Sequence, residues 1–107
     1  MVTEEHFRDM ALGFAGAVQG SHFDVTDFRV RGRIFATLRI RDGRAMVKLS
    51  PDQQRLLMET CPGMLEPIPG SWGLRGSTRV ALDRVDEQTL RRAMTMAWRS
   101  AAPESLR

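Results

Sequence analysis

The dipeptide Asp42-Gly43 stands between two segments in which apolar and polar residues alternate, and this arrangement predicts a β-hairpin. Asp-Gly favours a two-residue type I′ turn, because Gly readily takes the positive φ that the turn requires. Counting outward from that turn places Arg41 opposite Arg44. One side of the hairpin is then apolar, with Ile40 facing Ala45, Leu38 facing Val47, and Ala36 facing Leu49. The other side carries Arg39 facing Met46 and Thr37 facing Lys48.

A further strand, from about Asp24 to Val30, precedes the hairpin and joins it through Arg31-Gly32-Arg33. A three-residue loop sets Val30 against Ile34 and keeps the apolar residues of both strands on one face. A two-residue loop would mix the faces, because a shift of one residue reverses every side chain of a strand. The three-residue loop therefore predicts that Arg29 and Phe35 lie on the outward, basic face.

Three helices are predicted from capping residues and from apolar residues at helical spacing. The first has Thr3 as its N-cap and ends by Ala17, where glycines crowd the chain. The second begins at Ser50-Pro51, where Gln53 completes a capping box, and runs to about Thr60. The third follows Asp86 and is the most clearly amphipathic, with its apolar stripe at Leu90, Ala93, Met94, Ala97, Trp98 and Ala101.

Two short strands complete the predicted fold. Leu65 to Ile68 is expected at a sheet edge because Pro67 cannot donate a ladder hydrogen bond. A loop from Pro69 to Gly76 leads to a second strand from Thr78 to Leu82. The element order is then α-β-β-β-α-β-β-α, which predicts one α+β domain over residues 1–107, with an antiparallel sheet backed by helices.

The composition excludes several classes of protein. The 107 residues are 42% hydrophobic and 27% charged, which is typical of a single globular domain. Cys61 is the only cysteine, so no intramolecular disulfide is possible, and we expect the reducing cytoplasm as the compartment. No apolar run is long enough for a membrane span, and no signal-peptide pattern opens the chain.

No sequence motif indicates catalysis or metal binding. The two histidines, His6 and His22, and Cys61 lack the spacing of a transition-metal site. No base accompanies Cys61, and neither a phosphate-binding loop nor a dinucleotide-binding glycine pattern is present. We therefore expect no catalytic residue, no metal, no cofactor and no small-molecule substrate.

Basic residues cluster in the predicted meander. Of 16 basic residues in the chain only Lys48 is a lysine, and seven of the 16 lie between Phe28 and Leu49 against the single acid Asp42. A basic stripe of this kind is typical of a surface that binds nucleic acid. The candidate nucleic-acid-binding residues are Arg29, Arg31, Arg33, Arg39, Arg41, Arg44 and Lys48, with Phe35 and Trp72 as aromatic partners.

Two other interpretations of this face stay open. A GC-rich genome, which raises the use of arginine throughout a protein, would also yield a solvated basic face that binds nothing. Alternatively, Phe35 and Met46 would form a homodimer contact surrounded by arginines. Trp72, in the loop Gly70-Ser71-Trp72-Gly73, would either stack on a base or fold back over the core.

The sequence also resembles the MmcQ/YjbR family over nearly its whole length. The resemblance rests on Phe28 to Ala36, Val47-Lys48-Leu49-Ser50-Pro51, Pro62-Gly63, Pro67, Trp72-Gly73, and Leu90 to Pro103 with Ala97-Trp98-Arg99. It implies a small bacterial α+β domain comparable to the CyaY and secretion-chaperone folds. It also implies DNA binding through a double-wing arrangement of strands, and it assigns no catalytic residues. The short, uncharged Pro69-Gly70-Ser71 departs from the family's longer polar stretch, so the resemblance does not extend a DNA contact to that loop.

The expected function is therefore that of a non-enzymatic DNA-binding protein that uses the basic hairpin face. The alternative is a protein-interaction or homodimeric scaffold module with no role in binding nucleic acid.

Overall fold

The computed structural model describes residues 1–107 as four α-helices and one antiparallel sheet. The helices are α1 (Glu4–Leu12), α2 (Pro51–Thr60), α3 (Ser71–Leu74) and α4 (Glu87–Ala101). The strands are β1 (Ala17–His22), β2 (Val25–Val30), β3 (Arg33–Arg39), β4 (Arg44–Lys48), β5 (Leu65–Pro67) and β6 (Ser77–Val80). The strand order in the sheet is β1-β2-β3-β4-β6-β5, with β1 and β5 at its edges. The predicted α+β class and the helix-backed antiparallel sheet are confirmed.

The longest helix, α4, and the first helix, α1, pack against one face of the sheet, which we call the core face. The core-face side chains of the central strands are Phe28, Val30, Ala36, Leu38, Ala45, Val47 and Val80, and all are buried. Trp98 of α4 is also buried, and its indole Nε1 donates to the carbonyl oxygen of Ala15 at 2.9 Å. Neither α1 nor α4 covers the opposite side of the sheet, which we call the outer face. None of the four helices is both long and apolar enough to cross a membrane.

The predicted helix starts are confirmed at the level of single hydrogen bonds. Ser50 accepts from the backbone N–H of Gln53, while the Gln53 side chain accepts from the Ser50 N–H, which completes the capping box. Thr3 and Asp86 cap α1 and α4 in the same manner. These caps satisfy N–H groups that have no partner inside the helix, so the sequence signal and the structural need coincide.

The hairpin between β3 and β4 is present, but its predicted register is wrong by two residues. Arg39 rather than Arg41 faces Arg44, and Leu38 faces Ala45. The connection therefore has four residues, from Ile40 to Gly43, and Ile40 is half exposed instead of lying opposite Ala45. An even shift keeps each side chain on its predicted face, because strand side chains alternate with a period of two. The basic side and the apolar side are thus both preserved.

The connection between β2 and β3, in contrast, is shorter than predicted. Val30 faces Arg33, so the loop is the two residues Arg31-Gly32, both with positive φ. The pairing of β2 with β3 shifts by one residue between Phe28, which faces Ala36, and Arg29, which faces Ile34. Phe35 is therefore an extra residue on β3 without a partner on β2. Such a bulge redirects side chains. Phe35 consequently points into the core and is fully buried, so its predicted place on the basic face is wrong.

The chain after α1 forms a strand that the sequence pattern does not indicate. The helix ends at Leu12, not at Ala17, and residues Ala17–His22 pair with β2. This edge strand buries little side-chain surface, and Gly20 interrupts it, so its sequence lacks the apolar alternation of the central strands. Its backbone hydrogen bonds to β2 hold it in place.

The turn between β1 and β2 carries a strained aromatic residue. Phe23 has φ of 56° and its side chain is fully exposed. For a residue other than glycine the left-handed conformation costs about 1–2 kcal/mol, and Asn tolerates it better. The Phe23 ring has one aromatic neighbour, His22, with 6.3 Å between the ring centroids, so the exposed side chain gains little packing to offset the strain.

Replacing Phe23 with Asn is therefore expected to raise the free energy of unfolding by about 0.5–1 kcal/mol, because the backbone strain is relieved. Urea denaturation of the variant and the parent measures this difference. Phe23→Ala is the matched control, since it removes the ring but keeps a side chain in the strained conformation, and it should give no gain. A loss of stability in Phe23→Asn would contradict the assignment of strain.

Candidate functional site

The outer face of the sheet forms the floor of a cleft of about 710 Å³. Ile34 and Met46 supply apolar surface in the cleft, and the α3 turn with Trp72 closes one end. The cations that line it are Arg39, Arg44, Lys48 and Arg79. No Asp or Glu is among the lining residues, although the chain has 13 acids in all. The cleft is therefore a positively charged, partly apolar surface.

Four of the seven predicted cations make ion pairs with aspartates. The Nε atom of Arg29 lies 2.8 Å from Asp27 Oδ1, and a terminal nitrogen of Arg41 lies 3.4 Å from Asp24 Oδ2. Asp42 accepts from two cations, with the Nε atoms of Arg39 and Arg44 at 3.1 Å and 3.4 Å. These pairs reduce the net charge of the basic stripe.

The other three predicted cations have no carboxylate oxygen within 4.0 Å. Arg31 and Arg33 are exposed at the turn between β2 and β3. Lys48 lies at the end of β4, where its Nζ is 6.0 Å from the centre of the Trp72 ring. The structure therefore brings Arg39, Arg44 and Lys48 together in the cleft and leaves Arg29, Arg31, Arg33 and Arg41 outside its lining.

At the β1 end of the outer face, Asp27 lies fully buried beneath two basic side chains. Its carboxylate accepts from Arg29 Nε at 2.8 Å and lies 2.8 Å from the Nδ1 of His22. Gly20 faces Asp27 across the strand pair, and a Cβ there would lie 2.8 Å from the carboxylate oxygen. The glycine thus makes room for the buried carboxylate.

The hydrogen bond from Arg29 holds the pKa of Asp27 below its ordinary value of 3.8, and His22 acts in the same direction against the opposing effect of burial. The carboxylate is therefore ionised near neutral pH and only accepts hydrogen bonds, so Nδ1 of His22 carries the proton. The Nε2 atom of His22 is left free at the rim of the cleft, which His22 lines.

Asp27→Asn should lower the free energy of unfolding at pH 7 by about 1–3 kcal/mol, because charge-assisted hydrogen bonds become neutral ones. A carboxyl whose pKa is lowered by folding stabilises the protein above its unfolded pKa and loses this contribution as pH falls through the folded value. Wild type should therefore lose more stability than the variant as pH falls from about 5 to 2. Urea denaturation at several pH values measures both effects.

The exposed Asp83 provides the control, because it has no ion-pair partner. Asp83→Asn should keep the acid sensitivity of wild type. Equal acid sensitivity in Asp27→Asn and Asp83→Asn would show that the Asp27 carboxylate contributes nothing to folding.

The segment from Pro69 to Gly76, predicted as a loop, contains the short helix α3 and is fixed to the sheet by its backbone. Gly73 packs so closely on the carbonyl oxygen of Ile68 that no Cβ would fit, and Gly76 does the same against Leu49. The Leu49 N–H in turn donates to the Gly76 carbonyl at 3.1 Å. Such contacts leave this turn little freedom to move.

A buried glutamine from α2 ties the same turn to β6. The side-chain nitrogen of Gln54 donates to the carbonyl oxygens of Gly73 and Ser77 at 3.2 Å and 3.3 Å, and to the hydroxyl of Thr78 at 2.9 Å. Trp72 is 59% exposed on this turn, so the interpretation that it folds over the core is wrong.

Gln54→Ala should lower the free energy of unfolding by about 1–3 kcal/mol, because it removes the buried side-chain donor that the Gly73 and Ser77 carbonyls and the Thr78 hydroxyl share. We also expect faster hydrogen exchange at the amides of Arg75 and Gly76, whose hydrogen bonds close the turn. Gln88→Ala, on the exposed side of α4, should leave both quantities near their wild-type values. Unchanged amide exchange in Gln54→Ala would mean that the turn is held by the glycine contacts alone.

Sequence reasoning missed three residues of the cleft. Arg79 alternates with the buried Thr78 and Val80, so the period of two could have placed it on the outer face. Ile34 lies outward only because of the bulge at Phe35, and His22 lies on a strand without a recognisable pattern. No local signal in the sequence indicates either of these two positions.

The side chains form no cluster of metal ligands. No three His, Cys, Asp or Glu residues are grouped so that they could hold a metal ion. The Cys61 sulfur lies 3.7 Å from the hydroxyls of Thr60 and Thr89. No histidine or carboxylate is among its hydrogen-bond partners, so no base accompanies this thiol.

Comparison with known proteins gives a family match and a solved structure of similar fold. Residues 12–100 match the family model described as YjbR. The structure is similar to the crystal structure of Deinococcus radiodurans protein DR2400, which carries a DUF419 domain. The TM-score is 0.76 at 20% sequence identity, and the match covers 92% of this chain and 77% of that one. No curated protein matches the sequence.

Proposed function

We propose that this chain, which belongs to the YjbR family, binds DNA along the cleft of the outer face. The resemblance of its sequence to that family implies DNA binding. One observation carries this proposal: the lining of the cleft contains four cations and no acid. A phosphate backbone is the ligand whose charge is spread along a line, as these cations are. The sheet supplies a rigid support on which they are held.

The acidic partners of the cleft arginines, Asp42 for Arg39 and Arg44 and the exposed Glu66 for Arg79 at 3.6 Å, do not prevent this binding. The pairs of Arg39 and Arg44 with Asp42 are partly exposed, and exposed pairs contribute only about 0–1 kcal/mol. A phosphate can therefore replace Asp42 at little cost. Arginine favours this exchange because its planar fork binds phosphate oxygens in a bidentate manner.

The apolar part of the cleft suits the remaining surface of a nucleic acid strand. Ile34 and Met46 are half-buried on the floor, between the cations. Sugars and base edges make apolar contacts of this kind when a strand lies on a sheet. Charge and apolar surface thus alternate across the cleft in a pattern that a strand of DNA complements.

The alternative, a protein-interaction or homodimeric module, depended on Phe35 and Met46 as exposed apolar anchors. Phe35 is buried in the core, so the outer face retains only Met46 of that pair. A mass by light scattering that equals two chains, with no affinity for any DNA, would favour this alternative over DNA binding.

The proposed function predicts that the affinity for DNA falls linearly with salt on a double logarithmic plot. For Arg39→Gln with Lys48→Gln, the magnitude of the slope should decrease by about 1.4 on single-stranded DNA or about 1.8 on duplex DNA, because two fewer phosphates are neutralised and fewer counterions are released. Fluorescence-anisotropy titrations of labelled DNA at salt concentrations from about 50 to 200 mM measure the slope.

Arg92→Gln with Arg99→Gln is the matched control, because it removes the same charge from the exposed side of α4. Its salt slope should equal that of wild type. If both double variants changed the slope equally, net charge rather than the cleft would account for binding. Absence of binding to any DNA at low salt would refute the proposed function.

A further inference from the structure

Trp72 is exposed in a place where the fold is built to hold it. A tryptophan buries a large apolar area when it packs in a core, yet this one is 59% exposed beside the cleft. Trp98, the only other tryptophan of the chain, lies buried in the core. The exposure of Trp72 therefore needs a reason other than folding.

The turn that carries Trp72 is fixed before any ligand binds. The backbone packing of Gly73 and Gly76 and the three hydrogen bonds from Gln54 restrain it on both sides. A side chain on a rigid turn loses little conformational entropy on binding, which favours affinity. Trp72 is thus a pre-organised aromatic surface.

Two cations lie over the indole ring. Lys48 Nζ lies 6.0 Å and the Arg75 guanidinium carbon 5.5 Å from the ring centre. Neither cation has a carboxylate oxygen within 4.0 Å. Both side chains are long and can move from the ring face to the phosphates of a nucleotide, whose base then stacks on the ring in their place.

We propose that Trp72 is a stacking site for an unpaired nucleobase, with Lys48 and Arg75 as contacts for the flanking phosphates. This inference rests on the proposed function and names the form of DNA that the cleft binds. Bases in a duplex are stacked on one another, so only a single strand offers a free base to the ring. The protein should therefore prefer single-stranded DNA.

The experiment compares three probes of about 16 nucleotides: oligothymidylate, an abasic deoxyribose-phosphate oligomer of equal charge, and duplex DNA. Stacking of one base contributes about 1–3 kcal/mol, so oligothymidylate should bind about 5- to 150-fold more tightly than the abasic oligomer. Trp72→Leu should abolish this difference and leave the affinity for the abasic oligomer unchanged. Leu74→Ala, at the exposed end of the same short helix, is the control and should preserve the difference.

Each other outcome has a distinct meaning. If no probe binds, the proposed function itself fails. If the oligothymidylate and abasic probes bind equally to wild type, or if Trp72→Leu weakens both equally, the cleft binds polyanions without a stacking site and the inference is overturned. Tighter binding of duplex than of oligothymidylate would also overturn it. Circular dichroism of Trp72→Leu confirms that the variant is folded in each case.

Discussion

Burial of one face of the sheet by α1 and α4 is the constraint on which the rest of the structure depends. The apolar stripe of α4 covers the central strands, and the caps at Thr3 and Asp86 set where the two helices begin. An antiparallel sheet can leave its second face open, and here that face collects the side chains that packing does not require. The cleft with its cations is thus a direct result of covering the sheet on one side only.

The sequence predicted well on which face of the sheet a strand residue lies, but predicted poorly which residues pair across neighbouring strands. The two hairpins explain the difference. At Asp42-Gly43 the error was an even shift, so Arg39 and Arg44 kept their predicted side. At Arg31-Gly32 the error was a single residue, and a bulge at Phe35 absorbed it. Loop length follows from turn and tertiary geometry together, whereas the side-chain period of two is a local property that the sequence carries.

The candidate site was predictable to the same degree. The alternation of strand residues placed Arg39, Arg44 and Lys48 correctly, because each lies next to a buried residue of its strand. The exposure of Trp72 was not predictable, since it follows from the backbone contacts of Gly73 with Ile68 and of Gly76 with the distant Leu49. The pairing of Arg29 with Asp27 likewise depends on room that Gly20 provides on another strand.

The contacts of Gly73 and Gly76 also bear on how this surface can change during evolution. Surface loops ordinarily accept insertions and deletions, because few of their atoms touch the rest of the protein. Here both glycines press directly on other main-chain segments, so an added or deleted residue would separate the turn from β6 and from the end of β4. The length of the segment from Pro69 to Gly76 is therefore fixed as firmly as a core position. New binding properties would have to arise by replacing side chains on this turn rather than by lengthening it.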